Sequence, residues 1–280
     1  MMSCRSVGSR VSNLGGVDVY RSQMATSRVR RALTLGPAVF VALWCVLTAQ
    51  SAMAQSTIFN IPSTDTVDKG KVYFEFDFLP QAPGPEIGAT IILYNPRVVV
   101  GLPGNAEVGV NFPIYHVDPI NSAYIQPNIK WKFYKDDDTA VAATVGGVLN
   151  SPLNYREGQA TWGYVYANVS KKFKGAKDAR LTVGPYGVFA NADPISGPVS
   201  FLGTRGGVLI GYEQPLGGPV SFVADWFSSK NSLGYFTPGV SIALPHSGLL
   251  NIGYSIGNDS WEDSNATKNR YVFVYYGVTF

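Results

Sequence analysis

Cysteine and histidine, the residues that most often hold transition metals or act as nucleophile and base, are scarce in this chain of 280 residues. It has two of each. Both cysteines, Cys4 and Cys45, lie among the first 54 residues. The remainder therefore offers no disulfide and no thiolate metal ligand, and its stability has to come from backbone hydrogen bonding and packing.

Charge is the second shortage. Charged residues make up 15% of the chain, against about 25% in ordinary soluble domains. Glycine is abundant, with 30 residues, and aromatic residues make up 13%. Alternating segments recur beyond residue 54, and no convincing helical period does. This composition is typical of an all-β protein that faces something other than water.

The N-terminus has the three parts of a secretory signal peptide. Arg28, Arg30 and Arg31 precede an apolar run over 33–47, and Ala52-Met53-Ala54 supplies a small-x-small cleavage site. We expect a signal peptide over 1–54, in which 1–23 is an upstream extension if Met24 is the true start. An uncleaved anchor is the alternative, although the run is short for a span of about 20 residues.

Loss of this leader reverses the charge balance. Residues 1–54 hold six of the 22 Lys and Arg and one of the 19 Asp and Glu, so the remainder has a net charge of −2. A nucleic-acid partner then loses its electrostatic basis. We predict a periplasmic N-terminal segment over 55–69 and a transmembrane β-barrel over 70–280. The alternative for residues 55–69 is that they plug the barrel.

Alternation of side chains predicts twelve strands of a length that suits a tilted bilayer crossing. An even number returns both ends of a barrel to one side. Short connections after strands 2, 4, 6, 8 and 10 face mostly longer ones, of which 114–122 is one. The fold class is therefore all-β, a closed antiparallel up-and-down transmembrane barrel. The predicted strands are 71–79, 89–102, 106–113, 123–134, 139–148, 160–173, 179–190, 203–213, 219–228, 234–244, 248–256 and 269–280.

The two faces of these strands differ in kind. One face is bulky and apolar, as at Phe74 and Phe76, and the other holds charged, amide, hydroxyl and glycine residues. A soluble sandwich also alternates, but the small residues of the polar face fit the inner wall of a closed barrel. Pro127, Pro185 and Pro238 fall inside strands and forfeit ladder hydrogen bonds there.

The chain resembles Gram-negative outer-membrane β-barrels. The resemblance rests on the leader, the twelve strands and the terminal "YVFVYYGVTF" (271–280). "VVVGLPGNAEVGVNFP" and "SLGYFTPGVSIALP" are similar to segments of small porin- or transporter-type barrels. The class implies a location in the outer membrane among lipid and lipopolysaccharide. It also implies recognition by the outer-membrane assembly machinery through the last strand, at Tyr276, Val278 and Phe280.

The sequence contains no convincing catalytic or metal-binding pattern. By topology His116 lies in an external loop and His246 in a turn at the opposite end, so neither forms a positioned catalytic set. Asp136-Asp137-Asp138 and the acidic group of Asp259, Glu262 and Asp263 lack the spacing of a defined cation loop. We predict no enzyme, no cofactor and no bound metal, with a lipid-modifying enzyme kept as a third reading.

Strand phase directs ten charged side chains into the lumen. Five acids and five bases could pair across a narrow barrel or line a water-filled pore. We predict a narrow passive channel for small polar solutes; the alternative is a closed structural or surface-binding barrel. The predicted pore-lining residues are Glu75, Asp77, Arg97, Glu107, Lys130, Lys132, Arg180, Arg205, Glu213 and Asp225.

Overall fold

The computed structural model describes residues 56–81, 91–117, 120–154, 159–175, 178–190, 204–229, 231, 233–258 and 270–280. The expected signal peptide and the acidic group at 259–263 lie outside these ranges. No helix occurs within them, and accordingly none has the length and hydropathy to cross a membrane.

Thirteen β-strands account for most of the described chain. They are β1 (Val72–Pro80), β2 (Ile91–Leu102), β3 (Ala106–Asn111), β4 (Ile114–Val117), β5 (Ile120–Asp136), β6 (Val141–Pro152), β7 (Trp162–Phe173), β8 (Ala179–Ala190), β9 (Gly206–Gly217), β10 (Val220–Phe227), β11 (Tyr235–Leu244), β12 (Gly248–Gly257) and β13 (Arg270–Thr279).

The strands form one closed antiparallel ring. β1 pairs with β2 on one side and with β13 on the other, so the sheet has no free edge. β3 and β4 both lie between β2 and β5 and share one position. The ring therefore has twelve positions, and the predicted closed up-and-down barrel is confirmed.

The gap between β3 and β4 falls at Phe112 and Pro113. Pro96 lies opposite, in the continuous strand β2, and its carbonyl accepts a hydrogen bond of 2.9 Å from Phe112 N. Pro96 and Pro113, at adjacent positions of the two strands, leave too few N–H donors for an unbroken ladder. Beyond the gap the chain resumes pairing, so the long loop predicted over 114–122 is wrong: β4 and the start of β5 occupy most of it.

The prolines inside other strands are accommodated in the same way. Each pairs with a neighbouring strand on one side and sits at a gap in the register on the other side. Because a proline has no N–H to donate, the ladder loses little by skipping that position. The three that the sequence singled out follow this arrangement: Pro127, Pro185 and Pro238.

A belt of apolar side chains covers the outside of the ring. Large hydrophobic residues that would be buried in a soluble protein are between one-third and three-fifths exposed here, at alternate positions along the strands. This belt and the closed ring together are the features of a transmembrane barrel. Representative members are Phe76, Val98, Val108, Ile129, Val165, Val183, Val208, Phe236, Ile252 and Val272.

The outward face of β8 provides a test of this surface. Val183 lies near the middle of the strand and is 42% exposed. We expect Val183→Arg to lower the free energy of unfolding in lipid vesicles by about 2–4 kcal/mol, the cost of a cation near the bilayer midplane. Val183→Ala is the control for lost bulk. A loss within about 0.5 kcal/mol, as at a water-facing position, would contradict a lipid-facing belt.

Candidate functional site

Nine of the ten predicted pore-lining residues lie on the inner wall. Six are buried: Glu75, Asp77, Glu107, Lys130, Arg180 and Asp225. Arg97, Lys132 and Glu213 are partly buried on the same face. Arg205 precedes β9, is exposed and lies outside any strand. That these residues line a pore stays a prediction.

The lumen contains the chain's own N-terminal segment. Its described part, from Ser56 onward, lies inside the barrel, with Ile58, Phe59 and Ile61 at most 1% exposed. We call residues 56–67 the luminal segment. Asp68, Lys69 and Gly70 follow it as an exposed turn leading to β1.

The luminal segment begins as a small hairpin. Thr57 and Pro62 form an antiparallel bridge, and Ile58 N donates to Ile61 O at 2.9 Å. At the tip, the Asp225 carboxylate accepts backbone hydrogen bonds from Phe59 (3.0 Å), Asn60 (2.5 Å) and Ile61 (2.9 Å). One wall carboxylate thus satisfies three backbone donors at the tip of the hairpin.

A buried ion pair holds the two ends of the segment. Lys130 Nζ lies 3.0 Å from Glu107 Oε1 and donates to Ser56 O at 2.8 Å. Glu107 also accepts from Ser56 Oγ at 2.5 Å and from Val67 N at 2.7 Å. The pair is nearly free of solvent, so its stability depends on these additional hydrogen bonds.

A second ion cluster lies where the segment descends toward β1. Arg180 binds Glu213 of β9 and Asp65 of the luminal segment, the latter at 2.5 Å. Loss of hydration raises the pKa of Asp65, but the Arg180 guanidinium together with Lys132 and Lys130 lowers it by more, so its pKa lies below the usual range. Asp65 is therefore ionised at neutral pH and held by charge.

Carbonyl groups of the segment are satisfied as well. Asn168 Nδ2 donates to Pro62 O at 2.6 Å. The Tyr275 hydroxyl donates to Ile58 O at 2.8 Å, and Asn251 Nδ2 reaches the same carbonyl at 3.2 Å. Polar wall residues therefore replace the strand partners that this backbone lacks.

Glycines of the wall make room for the apolar side chains of the segment. A Cβ on Gly239 or Gly253 would come within 2.6 Å or 2.7 Å of the Phe59 ring. One on Gly211 would overlap Ile58. Phe59 also packs edge-on against Phe273, with ring centroids 5.4 Å apart. The small residues of the inner face are therefore where the luminal segment fits.

A third charged group braces β1 against β2. Arg97 lies 3.0 Å from Glu75 and 3.3 Å from Asp77. Asn95 Nδ2 donates to Asp77 at 2.7 Å, and the Tyr73 hydroxyl donates to Glu75. Arg97 also donates to Thr57 Oγ1 at 3.0 Å, which connects this group to the luminal segment.

A cavity of about 420 Å³ lies on the side of the luminal segment that faces the longer connections. Ser56, Thr57, Phe59 and Asn60 form its floor. β2, β3 and β5, which adjoin in the ring, contribute polar groups to the wall. The remaining wall is rich in aromatic side chains from β7, β10, β11 and β13: Trp162, Tyr164, Tyr166, Phe227, Tyr235, Tyr271 and Phe273.

Sequence reasoning did not predict most of this aromatic wall. Strand phase alone places Tyr271, Phe273 and Tyr275 on the inner face of β13. The aromatic residues of β7 were missed because their outward neighbours are also apolar. The signal was present further along: Trp162, Tyr164 and Tyr166 share a face with Asn168 and Ser170, which lie inside.

The catalytic candidates remain apart. His116 lies in β4, not in the external loop that the sequence predicted, and its Nδ1 is 2.5 Å from Asn121 Oδ1 on the exposed surface. His246 lies at the other end of the barrel, in the turn between β11 and β12.

The turn at Asp136-Asp137-Asp138 was considered above as a possible cation site. Asp136 accepts hydrogen bonds from Asp138 N at 2.9 Å and from Thr139 Oγ1 at 2.7 Å. These bonds cap the turn between β5 and β6. Within the described ranges, no group of three or more His, Cys, Asp or Glu is placed to hold a metal ion.

The proposed assembly signal lies on the outer face of the closing strand. Tyr276 is 45% exposed and Phe280 68% exposed, with Val278 between them on the same face. Phe280 N donates to Val72 O at 2.8 Å, so the chain end joins the seam. Recognition by an assembly machinery stays a prediction.

Comparison with known proteins gives structural neighbours only. No family model matches the chain, and no curated protein matches it. An active-site mutant of outer membrane phospholipase A from Escherichia coli is 11% identical, with a TM-score of 0.44 over 84% of this chain and 95% of that one.

Two further neighbours are also bacterial. CdiB from Acinetobacter baumannii is 9% identical, with a TM-score of 0.36 over 76% of this chain and 60% of that one. A mutant of the Rh. blastica porin is 9% identical, with a TM-score of 0.32 over 75% and 99%. An enzyme and a porin both appear, so these likenesses assign no activity.

The closed ring of twelve positions, its apolar belt and its polar interior define an outer-membrane β-barrel. Within that class, what distinguishes this chain is the luminal segment and the cavity beside it.

Asp225 is the residue on which to test the luminal segment. We expect Asp225→Asn to weaken three charge-assisted hydrogen bonds and to raise hydrogen exchange at Phe59, Asn60 and Ile61 by about 10–100-fold. The measurement is hydrogen exchange by mass spectrometry on the folded protein. Asp137→Asn, in an exposed turn, is the matched control. Equal protection in both variants would show that Asp225 does not hold the segment.

Proposed function

We propose that this protein is an outer-membrane barrel that is closed at rest by its own luminal segment and binds a small molecule in the adjoining cavity. The observation that carries the proposal is the complete burial of Ile58, Phe59 and Ile61 among wall residues that satisfy their backbone. A lumen held in this way is filled by protein, which favours the closed barrel over the open channel.

The strength of the anchoring supports a closed resting state. Backbone donors are capped by Asp225 and Glu107, and backbone carbonyls by Lys130, Asn168 and Tyr275. Withdrawal of the segment would leave these groups without partners. Each group that water does not rehydrate would then cost about 1–3 kcal/mol of free energy. Spontaneous opening is therefore rare.

A passive channel for small polar solutes is the second candidate. The observation in its favour is the wall beneath the segment, where Glu107, Lys130, Arg180, Glu213 and Asp225 would line the space if the segment withdrew. Water would then hydrate these charged groups and offset the free energy lost when their hydrogen bonds to the segment break. This function requires a stimulus that releases residues 56–67.

Orientation and location belong to the same proposal. Barrels of this class hold short turns in the periplasm and longer loops outside. The cavity then opens toward the cell exterior, and the strand ending in Phe280 provides the assembly signal at the periplasmic rim. Lipid and lipopolysaccharide are the expected surroundings of the apolar belt.

Removal of the leader fits the position of Ser56. This residue is 7% exposed inside the barrel and bonded to Glu107. We expect the outer-membrane form to begin at Gln55, and an intact-mass measurement that finds residues 1–54 still attached would contradict this.

Single-channel recording in planar bilayers tests the closed state. We expect no conductance from the full mature chain, and stepwise conductance after deletion of residues 56–67, because the deletion exposes a polar lumen. Heat-modifiable migration on gels shows that each variant is folded. The double variant Asp225→Asn/Glu107→Gln retains the full chain length and should open intermittently. A mature chain that conducts as much current as the conducting deletion variant would refute the proposal.

A further inference from the structure

We propose that the cavity binds a small, neutral, polyhydroxylated molecule of the size of a mono- or disaccharide. This inference rests on the proposed function, since it names the ligand class of the same site. It is argued from the size of the cavity, the charge balance of its wall and the distribution of its polar and aromatic groups.

The volume is that of a small-molecule site. At about 420 Å³, the cavity falls within the range of about 300–1,000 Å³ typical of sites that enclose such ligands. Its floor is the luminal segment, so the bottom of the site is fixed by the contacts that hold Ser56, Thr57 and Asn60. A small ligand can therefore be enclosed, while a polymer would have to protrude.

The charge balance favours a neutral ligand. Four charged residues line the cavity, and all four are already in ion pairs: Arg97 with Asp77, and Lys130 with Glu107. A charged ligand would have to displace a wall partner and leave a buried charge behind, which is costly. A neutral ligand leaves both pairs intact.

A row of amides provides the hydrogen-bonding surface. Gln126 donates to Asn150 at 2.8 Å, Asn111 donates to Gln126 at 3.2 Å, and Asn128 donates to Asn111 at 3.2 Å. These bonds use part of the capacity of each amide, which has two N–H groups and a carbonyl oxygen with two lone pairs. Donors and acceptors thus alternate along one wall.

The wall beside this row has the same mixed character. Asn95 Oδ1 is an acceptor and Arg97 Nε a donor, and neither has a hydrogen-bond partner within the described residues. A hydroxyl group both donates and accepts. It therefore matches this wall, whereas an ammonium group offers donors alone and a carboxylate acceptors alone.

The aromatic side supplies the complementary surface. Tyr164 packs near Tyr166 and Phe227, with ring centroids 6.1 Å away in both cases, and Trp162 lies at the end of the same strand. The C–H faces of a sugar ring are apolar and pack on aromatic rings, while its hydroxyl edges need hydrogen bonds. A wall that is amide-rich on one side and aromatic on the other meets both needs.

Titration of the mature protein in detergent micelles tests this assignment. The neutral probes are glucose, galactose, maltose and sucrose, and the comparison probes are glucose 6-phosphate, glucosamine and p-cresol. We expect at least one neutral saccharide to bind with a dissociation constant of about 1 mM or tighter. Binding should saturate in isothermal titration calorimetry and should change the fluorescence of Trp162.

Two variants locate the site. Trp162→Leu removes part of the aromatic wall and Asn95→Ala part of the polar wall, and each should weaken saccharide binding about ten-fold or more. Trp131→Leu removes an outward-facing tryptophan that is 51% exposed and should leave binding unchanged. Equal weakening by Trp131→Leu would mean that the saccharide does not occupy this cavity.

The outcomes separate this inference from the proposed function. Tighter binding of the charged probes or of p-cresol than of every saccharide would overturn the ligand class, and so would the absence of saccharide binding. The closed barrel stands in these cases if the mature chain remains non-conducting. Conductance by the mature chain would refute the closed barrel even if a saccharide bound.

Discussion

The closing of β1 on β13 is the constraint on which the remaining structure depends. The seam runs from Val72, bonded to Phe280, to Phe78, paired with Val274. Only a complete ring satisfies every strand without an edge, and only a complete ring encloses a lumen. The luminal segment and the cavity exist because this pairing closes the wall around them.

An enclosed lumen imposes its own requirement, which is that polar groups inside it find partners. The luminal segment has few strand neighbours, so Asp225, Glu107 and Asn168 act as the partners of its backbone. In return the segment supplies partners for wall charges, as Asp65 does for Arg180. Wall and segment therefore stabilise each other.

Residue patterns predicted the wall well and its contents poorly. Alternation placed Glu107 and Asp225 on the inner face correctly. The two arrangements considered for the luminal charges, pairing across the barrel and a water-filled pore, both omitted the luminal segment that binds them. The loop predicted over 114–122 is wrong because the chain pairs with β2 again directly after Pro113. Trp162 and Tyr164 were missed because both faces of β7 are apolar there.

The sequence by itself determined most of the strands and their two faces, because a period of two along each strand is a local property. Glycine at 211, 239 and 253 was visible in the sequence as an excess of small residues, without its reason. Only the tertiary structure decided that Ile58 and Phe59 fill those spaces. The packing of Ile58 and Phe59 depends on contacts between residues more than 150 positions apart in the chain. These contacts form only when the ring brings its strands together.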